Sequence, residues 1–291
     1  MKQTAIAAAV LLMALGTFAQ QAATPAPAQQ TAAAPTTPQG KRPPQAKTQP
    51  EFDAYKAATA SSDPAALEKG ADDFAAKFPD SELRALLYRN AMRAYQNANN
   101  GDKMLDLGRK VLKIDPDDPE SLIGVAEVLT ERTRDTDLDK DQRYDEAMKD
   151  AQRALVTVDT DIIVPAGTPQ DRVDTYKATL RSTAYSIIGA IQSNTEKYAD
   201  AEVSFRKSLD AYPSSPDAIV VLRLAIALDK QGKYPEALKE ANRAVELTQD
   251  NTNPGVLARR ERDRLVQLTG GSAPAPAPAP ANPPAAKAPG A

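Results

Sequence analysis

Between residues 51 and 270, apolar residues recur at intervals of three and four, which is the spacing of amphipathic helices. No stretch of this region alternates strictly between apolar and polar residues, as a half-buried strand does. Turn-forming residues interrupt the pattern at Pro64, Pro79, Asn99-Asn100-Gly101, Pro116, Pro119, Gly167-Thr168-Pro169, Pro213, Pro216, Gly232 and Asn253-Pro254. Because proline is tolerated in the first turn of a helix but not in its interior, these breaks predict helices of about three to four turns. The pattern therefore predicts an all-α fold.

One line of residues recurs in the second half of the chain. Residues 200–209 (DAEVSFRKSL) are echoed 36 positions later by residues 236–245 (EALKEANRAV). A third version lies upstream at residues 145–155 (DEAMKDAQRAL). A tyrosine stands shortly before each version, at Tyr144, Tyr198 and Tyr234. Repetition at this period is typical of stacked helical hairpins.

The recurring residues resemble the tetratricopeptide repeat, a hairpin of two helices with large, small, aromatic and proline residues at set intervals. The matching positions of the clearest unit are Tyr185, Ile188, Gly189, Ala201, Phe205, Ser208 and Pro213. Those of the unit after it are Val221, Leu224, Ala225, Leu228, Gly232, Tyr234, Ala237, Ala241 and Ala244. Those of the unit before it, which has nine extra residues between its helices, are Leu122, Val125, Ala126, Leu129, Ala147, Ala151 and Ala154. A looser unit has Tyr88, Ala91, Met92, Tyr95, Met104, Gly108, Val111 and Pro116, and a weaker leading unit has Leu67, Ala71, Phe74 and Phe78.

A single helical hairpin cannot bury its own apolar stripe, whereas stacked hairpins bury one another's stripes. The resemblance therefore implies an α-solenoid of about five helix-turn-helix (TPR-like) repeats over residues 51–270, closed by a capping helix at about Pro254–Leu268. Three positions depart from the repeat: Met92 replaces a small residue, and Ala151 and Ala241 replace an aromatic one.

The last two predicted helices leave alternatives open. The helix over residues 219–228 is apolar nearly all round, which fits either burial beneath the C-terminal helix or an exposed apolar patch for a partner. The capping helix is rich in arginine, which fits either a polar outer side or a basic docking strip. These arginines are Arg259, Arg260, Arg262 and Arg264.

In tetratricopeptide proteins the first helix of each hairpin lines a groove that receives a peptide or a helix, and the resemblance implies the same role here. Matching the register assigns to this groove Leu86, Arg89, Arg93, Gln96, Asn97, Ile123, Glu127, Thr130, Ser186, Ala190, Ile219, Leu222 and Ile226. Arg89 and Arg93 share a helix face, so they suit a partner's carboxylate or pair locally with acidic residues of this chain. The Lys-Asn pattern with which the family clamps a chain end is absent.

Cysteine and histidine are both absent from the 291 residues. Their absence excludes disulfides, thiolate and imidazole metal ligands, and catalysis by Cys-His or Ser-His-Asp groups. We therefore expect no cofactor and no enzyme activity. The net charge of −3 provides no strong positive field, so a nucleic-acid partner is not expected.

Two segments nevertheless contain residue patterns that occur in metal-binding or catalytic sites. Asp135, Asp137, Asp139 and Glu146 have the spacing of carboxylates in a calcium-binding loop, but Lys140 stands where such a loop needs glycine. A solvated acidic insertion is the alternative to this weak metal site. Ser204 and Lys207 form the Ser-x-x-Lys of serine acyl-transfer enzymes, without the other motifs of that class.

Both ends of the chain have the composition of unfolded segments. Residues 1–19 combine a positive tip, an apolar run and a small-residue triplet, which predicts a signal peptide cleaved after Ala19. An uncleaved anchor is the alternative, and it would be the chain's one contact with a membrane. Residues 20–50 predict a disordered linker rich in Ala, Pro and Gln, and residues 271–291 a disordered Ala-Pro tail. The repeats occupy residues 51–270 between them.

Taken together, these features favour an exported scaffold, periplasmic or extracellular, that binds a protein or peptide partner in its groove without catalysis. The alternative is a structural spacer or assembly factor of the cell envelope that acts through its proline-rich tails. An enzyme and a calcium-binding protein are weaker alternatives.

Overall fold

The computed structural model describes residues 40–165 and 167–270, and these residues are almost entirely helical. The helices are α1 Gln49–Ala58, α2 Pro64–Lys77, α3 Leu83–Asn97, α4 Gly101–Ile114, α5 Pro119–Arg132, α6 Lys140–Thr157, α7 Gln170–Asn194, α8 Tyr198–Ala211, α9 Ala218–Lys230, α10 Tyr234–Glu246 and α11 Asn253–Thr269. One isolated bridge between Lys41 and Ile163 is the extent of β-pairing in these ranges. The predicted all-α class is confirmed.

The helices form five hairpins in chain order, and each helix packs against the one before and after it. The hairpins are α1/α2, α3/α4, α5/α6, α7/α8 and α9/α10. Helix α11 packs on both α10 and α9, as a capping helix does. The prediction of about five TPR-like hairpins with a C-terminal capping helix is therefore confirmed.

Helix starts follow the local signals in the sequence. The side chains of Asp63, Asp118 and Asp217 each accept a hydrogen bond from a backbone N–H in the first turn of α2, α5 and α9. Such caps satisfy N–H groups that have no partner inside the helix. Pro64 and Pro119 lie in the first turn, where the missing N–H costs nothing.

Helix α7 is longer than the sequence pattern predicts. It has 25 residues, or about 38 Å, where we expected three to four turns. Nothing between Gln170 and Asn194 breaks a helix, and Val173 and Leu180 are buried in its first half. Lys177 and Arg181 both pair with Asp159 in the preceding loop. These tertiary contacts hold about three additional turns that the repeat itself does not require.

The first helices of the hairpins form one layer of the stack. Contacts join α1 to α3, α5 to α7, α7 to α9 and α9 to α11. No second helix makes a contact of similar extent with another second helix in the part of the chain that the structure describes. Apart from α3 and α5, the first helices therefore approach one another more closely than the second helices do.

Alanines at equivalent positions allow the helices to approach. Ala147, Ala201 and Ala237 lie in α6, α8 and α10, and all three are completely buried. Three apolar clusters follow one another along the stack, and together they include side chains from every helix between α1 and α11. Each hairpin thus completes the core of the next, as the repeat interpretation requires.

The described structure includes nine residues before the first helix. Helix α1 begins at Gln49, and residues 40–48, which we call the arm, already contact the repeats. Thr48 caps α1, and the backbone N–H of Lys47 donates to the buried carboxylate of Glu51. The polar, proline-rich composition of residues 40–50 predicts a linker, but ionic contacts with distant loops hold this segment against the repeats.

The predicted signal peptide with its cleavage after Ala19, the linker up to residue 39 and the tail at 271–291 lie outside the described residues. Among the helices of residues 40–270, none is both long and apolar enough to cross a membrane.

Candidate partner-binding groove

The two arginines predicted to meet a partner's carboxylate are already paired within the chain. Arg89 on α3 is buried, and its Nη1 lies 2.5 Å from Oδ1 of Asp118, the residue that caps α5. Its Nε atom is buried without an acceptor among the described residues. Arg89 therefore joins two hairpins, and the local pairing anticipated as the alternative is what the structure has.

Arg93 lies one turn further along α3 and faces the groove. It donates through both Nε and Nη2 to the carboxylate of Glu120, in the first turn of α5. The hydroxyl of Tyr176, on the additional turns of α7, donates to the same carboxylate at 2.7 Å. The Arg93 side chain keeps 45% of its exposure, so this network connects three first helices and remains open to solvent.

The charges in this network reinforce one another. Burial alone would raise the pKa of Glu120, but the Arg93 guanidinium outweighs it and lowers that pKa to about 2. Burial and the neighbouring Glu120 carboxylate raise the pKa of the Tyr176 hydroxyl. Glu120 thus stays ionised, and Tyr176 stays a hydrogen-bond donor, over the physiological pH range.

Glu127 lies two turns beyond Glu120 on α5 and has a different environment. None of the described side chains forms a hydrogen bond or an ion pair with its carboxylate. Burial, and then the like charge of Glu131, raise the pKa of Glu127 to about 7, although Arg223 on α9 opposes this. Glu127 is therefore a half-ionised carboxylate without a partner near neutral pH.

The side chains that line the groove become small and apolar towards α9. Ser186 is half-buried and Ala190 is buried on α7. On α9, Leu222 is buried, Ile226 is half-buried, and Ile219 keeps 38% of its exposure. Most of the apolar circumference of α9 is covered by α8, α10 and α11, as the burial alternative expected. These helices do not fully cover Ile219 and Ile226, and we call these two residues the isoleucine edge.

The remaining predicted groove residues are at the margins of this face. Gln96 and Asn97 are exposed at the end of α3, and Leu86 is half-buried beside the arm. Ile123 and Thr130 on α5 are buried, and the Thr130 hydroxyl donates to the Ala126 carbonyl at 2.7 Å. Because these two side chains are buried, little of their surface is accessible to a partner.

Three polar residues of the groove were not predicted from the sequence: Glu120, Tyr176 and Arg223. Glu120 occupies the repeat position of Leu86, so the register alone could have identified it. Arg223 directly follows the predicted Leu222 on the same helix. Tyr176 lies on the additional turns of α7, outside the repeat, and no pattern in the sequence indicated it.

The proposed calcium ligands are used by the chain's own cations. Asp135 and Asp139 pair with Lys140 and Arg143, and Asp137 accepts from the backbone N–H of Arg134. Glu146 pairs instead with Arg109 on α4, and its Oε1 lies 2.8 Å from Nη2 of that arginine. In the described ranges, no group of three or more acidic side chains is arranged to hold a metal ion.

The Ser-x-x-Lys pair is likewise built into the packing of α8. The Ser204 hydroxyl is buried and donates to Oε1 of Gln192 at 2.6 Å, whereas Lys207 is exposed above the ring of Tyr185. The two side chains share no hydrogen bond in the described structure, so this serine lacks an adjacent base.

Three arginines of the capping helix α11, Arg259, Arg262 and Arg264, also have local partners. Arg264 pairs with Asp229 of α9 at 2.5 Å and with Glu261, and Arg259 pairs with Asp250 in the loop before α11. Leu265 is buried under the helix, whereas Leu257 and Leu268 are about half-exposed. Helix α11 thus has the polar outer side of a cap.

The five stacked hairpins and the capping helix have the architecture of tetratricopeptide repeats, as the residue pattern of the sequence predicts. Similar solved structures include MamA MSR-1 C2, with 17% identity over 65% of this chain and 88% of that chain and a TM-score of 0.44. A thermophilic TPR protein of Thermus thermophilus has 14% identity over 72% and 98% of the two chains and a TM-score of 0.44. The pilF protein of Pseudomonas aeruginosa has 18% identity over 77% and 96% and a TM-score of 0.46. No protein-family model and no curated protein sequence matches the chain. At TM-scores below 0.5, these similarities indicate nothing about the function of this chain.

Proposed function

We propose that this protein is a non-catalytic scaffold that binds a protein or peptide partner in the groove of its first helices. The observation that carries the proposal is the isoleucine edge on α9, where Ile219 keeps 38% of its exposure and Ile226 is half-buried, at the apolar end of a groove whose other end is charged. Across the small side chains of α7 lies Glu127, a carboxylate to which no described side chain donates. Apolar contact beside an unsatisfied charge suits a segment with apolar residues and one basic residue.

Photo-crosslinking tests the proposal directly. A photoreactive amino acid at Ile219 or Ile226 should capture a defined partner in the extract of the native cell envelope, identified by mass spectrometry. The matched control is Val203, which is 52% exposed on the second helix α8. Equal capture from Val203, or none from α9, would contradict binding in the groove.

Once a partner is known, its affinity for groove variants tests which residues hold it. Ile226→Asp and Glu127→Lys should each weaken binding at least about tenfold, whereas Val203→Asp should leave it unchanged. Arg93→Glu is a further groove variant. Arg89 is unsuitable for this purpose because it is buried between two hairpins.

We also propose that the protein is exported, on the basis of its first 19 residues. N-terminal sequencing of the protein isolated from cells should begin at Gln20. A chain that retains Met1 would contradict the cleavage.

A further inference from the structure

The arm crosses three loops that connect successive hairpins. It runs beside the loop between α2 and α3 (78–82), the loop between α4 and α5 (115–118) and the first part of the loop that follows α6 (158–165). These loops lie at one edge of the stack, away from the centre of the groove. The arm therefore contacts several hairpins at once, at the points where they are connected.

Two basic side chains of the arm meet acidic side chains of these loops. Lys41 Nζ lies 2.6 Å from Oδ1 of Asp115 and 4.0 Å from Oδ1 of Asp161. Arg42 Nη2 lies 3.0 Å from Oε2 of Glu82. The carboxylate of Asp115 keeps only 14% of its exposure, so the contact with Lys41 is partly shielded from solvent. The loops thus present at least one acidic side chain to each of these two cations.

The backbone of the arm is recognised as well. Lys41 forms a parallel bridge with Ile163, so the arm adds a short extended segment to the loop before α7. A Cβ atom on Gly40 would lie 2.3 Å from the carbonyl oxygen of Ile162, which is far inside van der Waals contact. Only glycine fits at this point. Pro43 and Pro44 follow, and they favour the same extended backbone without leaving an N–H unsatisfied.

The arm is held by polar contacts more than by packing. A cavity of about 320 Å³ separates it from the first turns of α3 and is lined by Pro44, Leu86 and Arg89 among others. Arg42 and Glu82 are both more than half exposed, and such ion pairs each contribute about 0–1 kcal/mol. A segment attached in this way can be exchanged without disturbing the hairpins beneath it.

We infer that this edge is a second peptide-binding site, which recognises an extended Gly-Lys-Arg-Pro-Pro segment and which the chain's own arm occupies. Glycine is selected by the Ile162 carbonyl, lysine by Asp115 and Asp161, and arginine by Glu82. The arm is tethered to α1, so its effective concentration is on the order of millimolar. A partner with this sequence chemistry therefore has to displace the arm. The inference is independent of the groove and of what binds there.

The test uses the full-length chain with the arm released by Lys41→Glu and Arg42→Glu, which places like charges opposite Asp115 and Glu82. A fluorescently labelled peptide with the sequence of residues 40–46 (GKRPPQA) is titrated, and binding is followed by fluorescence anisotropy. We expect it to bind the released chain at least about tenfold more tightly than the unaltered chain, because the arm no longer competes. Equal affinity for the two chains, or no binding to either, would overturn the inference.

Two controls identify the site. In the otherwise unaltered chain, Glu82→Lys and Asp115→Lys also release the arm, since they place lysines opposite Lys41 and Arg42. This chain should not bind the GKRPPQA peptide, whereas a peptide with glutamates in place of its lysine and arginine should bind the reversed site. Binding of the glutamate peptide also shows that the reversed chain is folded. A peptide with alanine in place of glycine should bind the released chain at least about tenfold more weakly, because of the Ile162 carbonyl. Binding that ignores either the reversed charges or the alanine would place the peptide elsewhere and overturn the inference.

Discussion

Gly189 of α7 and Phe205 of α8 cross so closely that a Cβ atom on the glycine would lie 2.7 Å from two carbons of the ring. The equivalent positions of the α3/α4 hairpin hold Met92 and Gly108, with the large and small residues exchanged, and there a Cβ on the glycine would lie 3.3 Å from the methionine sulfur. In the α5/α6 and α9/α10 hairpins both positions are alanine: Ala126 with Ala151, and Ala225 with Ala241. The departure from the repeat pattern at Met92 is therefore compensated by Gly108 across the helix crossing, whereas Ala151 and Ala241 each meet another alanine.

The crossing predicts a steric penalty at Gly189. Gly189→Ala should lower the free energy of unfolding by about 1–2 kcal/mol, although alanine favours a helix, because the fully buried Phe205 ring has no room to move. Urea unfolding followed by far-ultraviolet circular dichroism measures this, since the chain has no tryptophan. In a Phe205→Leu background the same substitution should cost about 1 kcal/mol less. Additive effects would contradict the contact.

Substitution of Arg89 and substitution of Arg93 should lower the stability of the fold by very different amounts. Arg89→Met leaves Asp118 buried without its cation and should lower the free energy of unfolding by about 3–5 kcal/mol. Arg93→Met removes a partly exposed pair and should cost about 1 kcal/mol or less. The two variants serve as each other's control in the same urea titration. Similar losses would show that Arg89 is not the buried member.

Glu127 predicts a loss of stability as pH rises. Its pKa is raised to about 7 in the folded chain, so between its ordinary value of 4.5 and about 7 the folded state binds more protons than the unfolded state. Stability from this group is therefore present at low pH and declines through that window, by about 1–3 kcal/mol. Urea unfolding near pH 5 and near pH 8 should show a smaller decline for Glu127→Gln than for the unaltered chain. An identical decline in both would contradict the raised pKa.

The turns within the hairpins predict two substitutions of opposite sign. Asn99, Glu196 and Gly232 occupy the same turn position and have φ angles of 55°, 60° and 74°. Glu196→Gly should raise the free energy of unfolding by about 0.5–1 kcal/mol, because glycine adopts this conformation without a Cβ penalty. Gly232→Ala should lower it by about 1 kcal/mol. Thermal unfolding of the pair checks both, and a change of the same sign in both would contradict the shared geometry.

Much of the fold could be predicted because it is local. The capping aspartates, the prolines in first turns and the apolar spacing all act within a few residues, so they indicate where helices begin and which side is buried. The repeat extends this argument, because similar hairpins have to pack in the same way. Even the isoleucine edge on α9 follows from register, since the repeat pattern alone assigns Ile219 and Ile226 to the groove.

Charges were less predictable than apolar positions. Arg89 and Arg93 have the same residue type and the same helix face, yet one is buried and the other is open. Their difference depends on where the loop before α5 brings Asp118 and Glu120. The order of the arm also depends on partners far away in the chain, 74 residues in the case of Lys41 and Asp115.

The sequence alone thus determined the helices, the hairpins and the residues that each hairpin hides, because spacing and capping are properties of neighbouring residues. Only the tertiary structure decided which charged groups hold the hairpins together and which remain for a partner. Ion pairs form between whichever opposite charges the packed helices bring within reach, and that proximity exists only once the chain has folded.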